Sequence, residues 1–219
     1  MSMVFRCLFA FLLMAPLVQA EPSCTPTARV TTTNYPGAAN IPPTNNLLLP
    51  TGKSLEAEAQ KLIITGRLVD RHCMPIPEAV VEMWQLNPFG KWYLAEDEEL
   101  VTPNAVFAGA GRAITDNEGY FTFITGFPGV TTFTQWQKRQ KVTVSRAPRV
   151  FVRVKADGFN MFNTALFFDG DHRNMPDAVY KRLKPDARTS VTFSMGEENG
   201  TLVASKEIVL PGDAPYRSY

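Results

Sequence analysis

His72 and His172 are the only two histidines in the chain, so a metal site that needs three imidazoles is excluded. Cys24 and Cys73 are the cysteines that remain once Cys7, which lies in the first apolar run, is set aside. In an oxidising compartment two such thiols form one disulfide; in a reducing one they stay as separate, buried thiols. The run Glu96-Asp97-Glu98-Glu99 offers hard oxygen donors of the kind calcium takes, and is also the composition of a solvated loop. Gly109-Ala110-Gly111 is followed by neither Lys-Ser/Thr nor a helix, so it is not a phosphate loop. No nucleophile elbow and no Cys–His couple occur. Between Gln135 and Lys141, Trp136 is interleaved with Lys138, Arg139 and Lys141. With 22 basic against 21 acidic residues the chain lacks the charge of a nucleic-acid binder. That segment therefore reads as an exposed partner-binding loop or a plain surface loop.

The elements that must position these residues follow from local pattern. Residues 1–20 combine Arg6, the apolar run Cys7 to Leu17 and the small-residue site Val18-Gln19-Ala20. This is the build of a secretory signal peptide, and the run is too short to span a bilayer; an N-terminal anchor is the alternative. Cleavage after Ala20 places the protein in the periplasm or outside the cell. No later apolar stretch is long enough for a transmembrane segment. Residues 21–53 are rich in Pro, Thr and Asn without periodicity and read as an extended arm, and 54–219 as one β-rich domain. KLIITGRLV and AVVEMWQL are strand runs separated by the turn Asp70–Pro75. FAGAGRAIT and GYFTFIT flank Asp116-Asn117-Glu118-Gly119, a hairpin turn. RVFVRVKA alternates as a half-buried strand does, and TALFFD, SVTFSM and VASKEIVL bring the total to about eight strands. One short helix starts at Pro176-Asp177 and runs through Leu183. Phe127, Phe133 and FNMFNTALFF read mainly as core, with Phe159 and Phe162 as the alternative candidates for an exposed apolar interface. The fold class is an all-β sandwich or partly closed barrel.

Three phrases carry a family resemblance. The first is Gly66-Arg67-Leu68-Val69-Asp70, then Pro75-Ile76-Pro77 and Val81-Glu82-Met83-Trp84-Gln85. The second is Phe107, Gly109, Gly111-Arg112, Thr115-Asp116 and Gly119-Tyr120-Phe121. The third is Phe168-Asp169-Gly170-Asp171, after the strand with Thr164. In this order and spacing they resemble the intradiol ring-cleavage dioxygenases, particularly the protocatechuate 3,4-dioxygenase subunits, over about residues 47–210. The resemblance implies a β-sandwich of mixed sheets with the active site in a groove between loops. It also implies one Fe(III) held by two tyrosinates and two imidazoles, hard and borderline donors that suit ferric iron.

The four positions the resemblance assigns to the metal carry other residues. Gly90-Lys91-Trp92-Tyr93 puts Trp92 at the first tyrosine position. Tyr93 is one residue late, and a one-residue slip turns a strand side chain to the opposite face. Pro128-Gly129-Val130-Thr131 puts Thr131 at the second. Arg146-Ala147-Pro148-Arg149-Val150-Phe151 puts Arg149 and Phe151 where the imidazoles stand. A guanidinium stays charged and has no lone pair to donate; at about 4 Å and an effective dielectric of 20 each unit-charge product costs roughly 4 kcal/mol. Arg146 matches the family arginine that precedes the histidines. With Arg149 it forms a candidate ligand-binding pair for a carboxylate or phosphate, the alternative being a structural ion pair. Arg112 reads as structural, its stem packed over the sheet. The expected function is an exported, non-catalytic protein on the dioxygenase scaffold with no cofactor. It would serve binding or assembly with an envelope protein or a second copy, or take a small anionic aromatic. The alternative is a working Fe(III) enzyme that cleaves a catechol such as protocatechuate, with Tyr93, a second tyrosine and His172 as rearranged ligands.

Overall fold

Residues 23–48, 60–92 and 108–213 are described by the structure, a computed structural model. Residues 1–20, read above as a signal peptide, Tyr93 and the run Glu96-Asp97-Glu98-Glu99 lie outside them. Ten strands follow in order: β1 (Lys61–Val69), β2 (Val80–Gln85), β3 (Ala110–Ile114), β4 (Tyr120–Gly126), β5 (Thr131–Gln137), β6 (Gln140–Arg146), β7 (Arg149–Lys155), β8 (Phe162–Phe168), β9 (Thr192–Glu198) and β10 (Thr201–Val209). Between β8 and β9 lie the helices α1 (Ala178–Arg182) and α2 (Pro185–Ser190).

Eight strands form one mixed strip in the order β3-β2-β7-β8-β9-β10-β1-β4. The pairs β1–β10 and β8–β9 are parallel and the others antiparallel. The β8–β9 link is narrow, made only by Phe167↔Thr192 and Phe168↔Phe193. The strip closes on itself about that link, so the inner faces of its two halves share one core in a sandwich. Period-two alternation explains which side of each strand faces in. In β1, Leu62, Ile64 and Leu68 are buried while Lys61 is exposed and Thr65 and Arg67 half-buried. Gly66 shares the inner face because the Phe121 ring, its cross-strand partner, lies over it; a Cβ there would sit 2.0 Å from Phe121 Cζ. Trp84, Phe123, Phe151, Phe162, Phe167, Phe168 and Phe193 fill the interior, each contributing roughly 1.5–3 kcal/mol through burial.

Four differences from the sequence reading have physical causes. The turn at Asp116–Gly119 forms as expected, with Asp116 Oδ1 accepting from Glu118 N and Tyr120 N and Gly119 at φ +79°. It does not close a hairpin, because β3 pairs with β2 and β4 pairs with β1; the turn crosses between the two halves. The single helix expected to run through Leu183 is α1, capped at its start by Asp177 and ended at Leu183. A second helix, α2, begins at once with Pro185 in its first turn, a position where proline's missing N–H costs nothing. The basic segment is the tip of a two-stranded ribbon, β5–β6, that pairs with no other strand among the described residues. Phe133, read as core, stands on that ribbon 43 % exposed, whereas Phe162 is fully buried, as the core reading of its segment expects and its alternative as surface does not.

The N-terminal stretch packs as part of the domain. Val30, Ile41 and Leu47 enter the core, and Thr164 Oγ1 on β8 donates to Ala28 O and accepts from Val30 N. Cys24 and Cys73 are joined by a disulfide, Cα to Cα 5.3 Å, across 49 residues of sequence. It fixes the start of this stretch to the turn after β1, where Cys24 N also donates to Arg71 O at 2.8 Å.

Candidate functional site

Two loops meet backbone to backbone and bring Trp92 and Thr131, two of the positions that the resemblance assigns to the metal, into one region. After β2, Asn87 Oδ1 accepts from Phe89 N and Lys91 N, both at 3.0 Å, an Asx turn that returns the chain toward the sheet. Gly129, just before β5, donates its N–H to Asn87 O at 3.0 Å. A Cβ on Gly90 would lie 1.9 Å from Val130 O, and one on Gly129 2.3 Å from Pro88 O. Only glycines allow this approach, and Gly90 also needs its φ of +77°. The contact fixes Trp92, at the end of one loop, relative to Thr131, at the start of β5. Thr131 in turn pairs with Arg146 across the ribbon.

Aromatic rings occupy the centre of the site. Phe151 on β7 is buried and stacks on Trp92, centroids 5.7 Å apart, and on Trp84 at 5.6 Å. Tyr35 meets Trp84 edge-on, and Trp84 Nε1 donates to Thr33 O at 2.9 Å. The Arg149 guanidinium lies 5.2 Å from the Phe151 centroid, within range of a cation–π contact. Trp92, Phe151 and Arg149 therefore touch one another through Phe151.

Beside the stack is a buried charge cluster. Arg146 Nε donates to Asp177 Oδ2 at 2.8 Å, and Ala147 N donates to the same oxygen at 3.0 Å. Asp177 Oδ1 accepts from Val179 N and Tyr180 N, which caps α1. Arg149, 5 % exposed, donates from Nη1 to Ala147 O at 2.8 Å and lies 3.9 Å from Asp177 Oδ2. Burial alone would raise the Asp177 carboxyl, but the hydrogen bond and charge of Arg146 and the two cap N–H groups outweigh it and hold it below the usual range. Burial, with Arg146 alongside, pushes Arg149 down to about 10 despite the pull of Asp177. It remains a cation at neutral pH.

Asp177 is the member that the sequence reading did not place. Its signal was visible only as an N-cap; its pairing with Arg146 bridges 31 positions. A second buried carboxylate, Glu82 on β2, was likewise unforeseen. It accepts from Tyr35 Oη, Arg112 Nη2 and Lys155 Nζ at 2.9, 3.1 and 3.0 Å, which makes Arg112 part of an ion-pair network as well as a packed stem. These bonds and charges together outweigh its desolvation and hold it low. The histidines lie elsewhere. His72 Nε2 is 3.1 Å from Asp213 Oδ1, and His172 is exposed in the loop before α1.

The donor set does not fit ferric iron. Indole, threonine hydroxyl, guanidinium and phenyl supply neither a phenolate nor an imidazole. Arg149, at one of the positions the resemblance assigns to the metal, is a cation at neutral pH and would repel one there. Among the described residues, no three His, Cys, Asp or Glu side chains cluster as a metal site.

Comparison with known proteins points to one family. The family described as "Dioxygenase" matches residues 38–212. The protocatechuate 3,4-dioxygenase beta chain of Burkholderia cepacia is 28% identical over 182 residues, covering 80% of this chain and 75% of that one. A putative dioxygenase of Rickettsia bellii is 34% identical over 93 residues, 39% of this chain and 45% of that one. Among solved structures, the 3-chlorocatechol 1,2-dioxygenase of Rhodococcus opacus 1CP superposes with a TM-score of 0.66 at 17% identity, over 84% of this chain and 72% of that one. The intradiol ring-cleavage dioxygenase of Tetranychus urticae gives 0.62 at 19%, over 86% and 95%.

Proposed function

From the premise that this chain belongs to the intradiol ring-cleavage dioxygenase family, we propose that it keeps the scaffold without the reaction. The observation that carries this reading is the content of the metal site. Phe151 stacks on Trp92 at the centre, and Arg149 is buried beside them. Loss of the ligands leaves the fold intact because Phe151 and Trp84 supply buried aromatic contact where polar ligands would need a metal to be satisfied.

The role is binding or assembly outside the cytoplasm, with an envelope protein or a second copy as partner. Two features support export: the signal-like residues 1–20 and the Cys24–Cys73 disulfide, a bond typical of oxidising compartments. Among the described residues, no helix is long and apolar enough to cross a membrane. The β5–β6 ribbon supports a docking role. Trp136 is 69 % and Phe133 43 % exposed on a ribbon with no acidic residue, and an isolated two-stranded ribbon gains little stability from itself.

Oxygen uptake is the test. The purified chain, preincubated with ferrous or ferric iron, is expected to consume no oxygen with protocatechuate or catechol. Ring-cleavage product appearing in proportion to protein would overturn the proposal.

A further inference from the structure

One buried guanidinium has more donors than acceptors. Arginine carries five N–H donors. Arg149 uses Nη1 on Ala147 O, and among the described residues Nε and Nη2 have no hydrogen-bond partner. The nearest carboxylate oxygen, on Asp177, is 3.9 Å away, beyond hydrogen-bond reach. Asp177 cannot take more. An ionised carboxylate has about four acceptor sites, and Arg146 Nε, Ala147 N, Val179 N and Tyr180 N occupy them. Two guanidinium charges therefore share one carboxylate. Arg149 is 5 % and Asp177 0 % exposed, and the unpartnered Nε and Nη2 are not among the fully buried atoms, so the free donors sit at a narrow opening to solvent. A buried charge is kept where it is paired, and Arg149 has only a 3.9 Å share of the carboxylate that Arg146 holds at 2.8 Å.

We propose that Arg149 is the anchor of a binding point for a small monocarboxylate. Its Nε and Nη2 would form the fork for the carboxylate, and Arg146 would add to the positive field. The planar fork matches a carboxylate in two parallel hydrogen bonds. The excess is one positive charge, so a monoanion neutralises it and a dianion would overshoot. The inference rests on the metal-free reading above, since a ferric ion at this position would repel Arg149 and draw the anion to itself.

The test uses the full purified chain at neutral pH. Sodium benzoate and sodium acetate are titrated against sodium chloride at matched ionic strength, with thermal melting and calorimetry as readouts. The expected result is a saturable rise in melting temperature with either carboxylate beyond the chloride control. Arg149→Met should weaken binding at least tenfold. Arg149→Lys, which keeps the charge but loses the fork, should weaken it by a similar factor and covers the case in which the methionine variant does not fold. No effect beyond chloride, or an undiminished affinity in Arg149→Lys, would overturn the inference. Iron measured on the same sample separates the two ideas. Stoichiometric iron defeats the metal-free reading; an iron-free sample indifferent to carboxylates defeats only the anion site.

Discussion

Replacing Asp177 by asparagine removes one charge from the centre of the buried cluster while leaving its shape. The amide oxygen can still accept from Val179 N and Tyr180 N, and asparagine caps helices about as well as aspartate. The other arm becomes an NH2 group facing Arg146 Nε and Ala147 N, both now donors without an acceptor. Breaking one side of a buried ion pair costs about 3–5 kcal/mol. Arg149→Met alone removes the charge in excess but leaves Ala147 O without its donor, so it should cost about 1–3 kcal/mol. In the double variant one of the two stranded cations is gone, so the loss should be smaller than the sum by about 1–3 kcal/mol, the range of coupling for residues in one network. Urea unfolding of the four proteins at neutral pH, followed by circular dichroism, measures this cycle. The acid limb carries the same information. Asp177 titrates below its unfolded value, which is about 3.9. Its contribution is therefore present above about pH 4 and is lost as pH falls through the lower folded value. Asp177→Asn should flatten that loss. A cost under about 1 kcal/mol, or single effects that add within about 0.5 kcal/mol, would refute the shared-carboxylate reasoning.

Gly66→Ala should destabilise by about 1–3 kcal/mol in chemical unfolding, because its methyl would collide with the buried Phe121 ring; Thr65→Ala on the opposite face is the control expected to stay within about 0.5 kcal/mol. Cys24→Ser should lower stability by about 4 kcal/mol through the loop it opens, or roughly 8–16 °C in a melting scan at about 2–4 °C per kcal/mol for a domain of this size. Arg149→His with Phe151→His should give no ring cleavage of catechol in an oxygen electrode, because Trp92 and Thr131 still stand at the two tyrosine positions.

Local pattern made much of the framework legible. RVFVRVKA alternates and is β7; Asp116–Gly119 has the residues of a turn and forms one. What the pattern does not contain is pairing. The Asp116 turn looks like a hairpin because its flanks are strands, yet β3 and β4 belong to different halves of the strip. The β5–β6 ribbon was hidden by Thr, Gln, Lys and Arg, which lack the apolar alternation of a packed strand. Trp92, Thr131, Arg149 and Phe151 could be singled out in the sequence because each follows a short landmark of the resemblance: Gly90, Pro128-Gly129 or Arg146. Asp177 and Glu82 were not, since a buried carboxylate is defined by donors that the fold brings together, here cations from distant strands and the Tyr35 hydroxyl from the N-terminal stretch.

Iron stoichiometry after saturation tests the central claim most directly. The purified chain is incubated with excess ferric citrate under denaturing-to-native exchange, desalted, and assayed by inductively coupled plasma mass spectrometry alongside its visible spectrum. The account predicts well under a tenth of an iron atom per chain and no tyrosinate-to-iron absorption. About one iron per chain with that absorption band would contradict it.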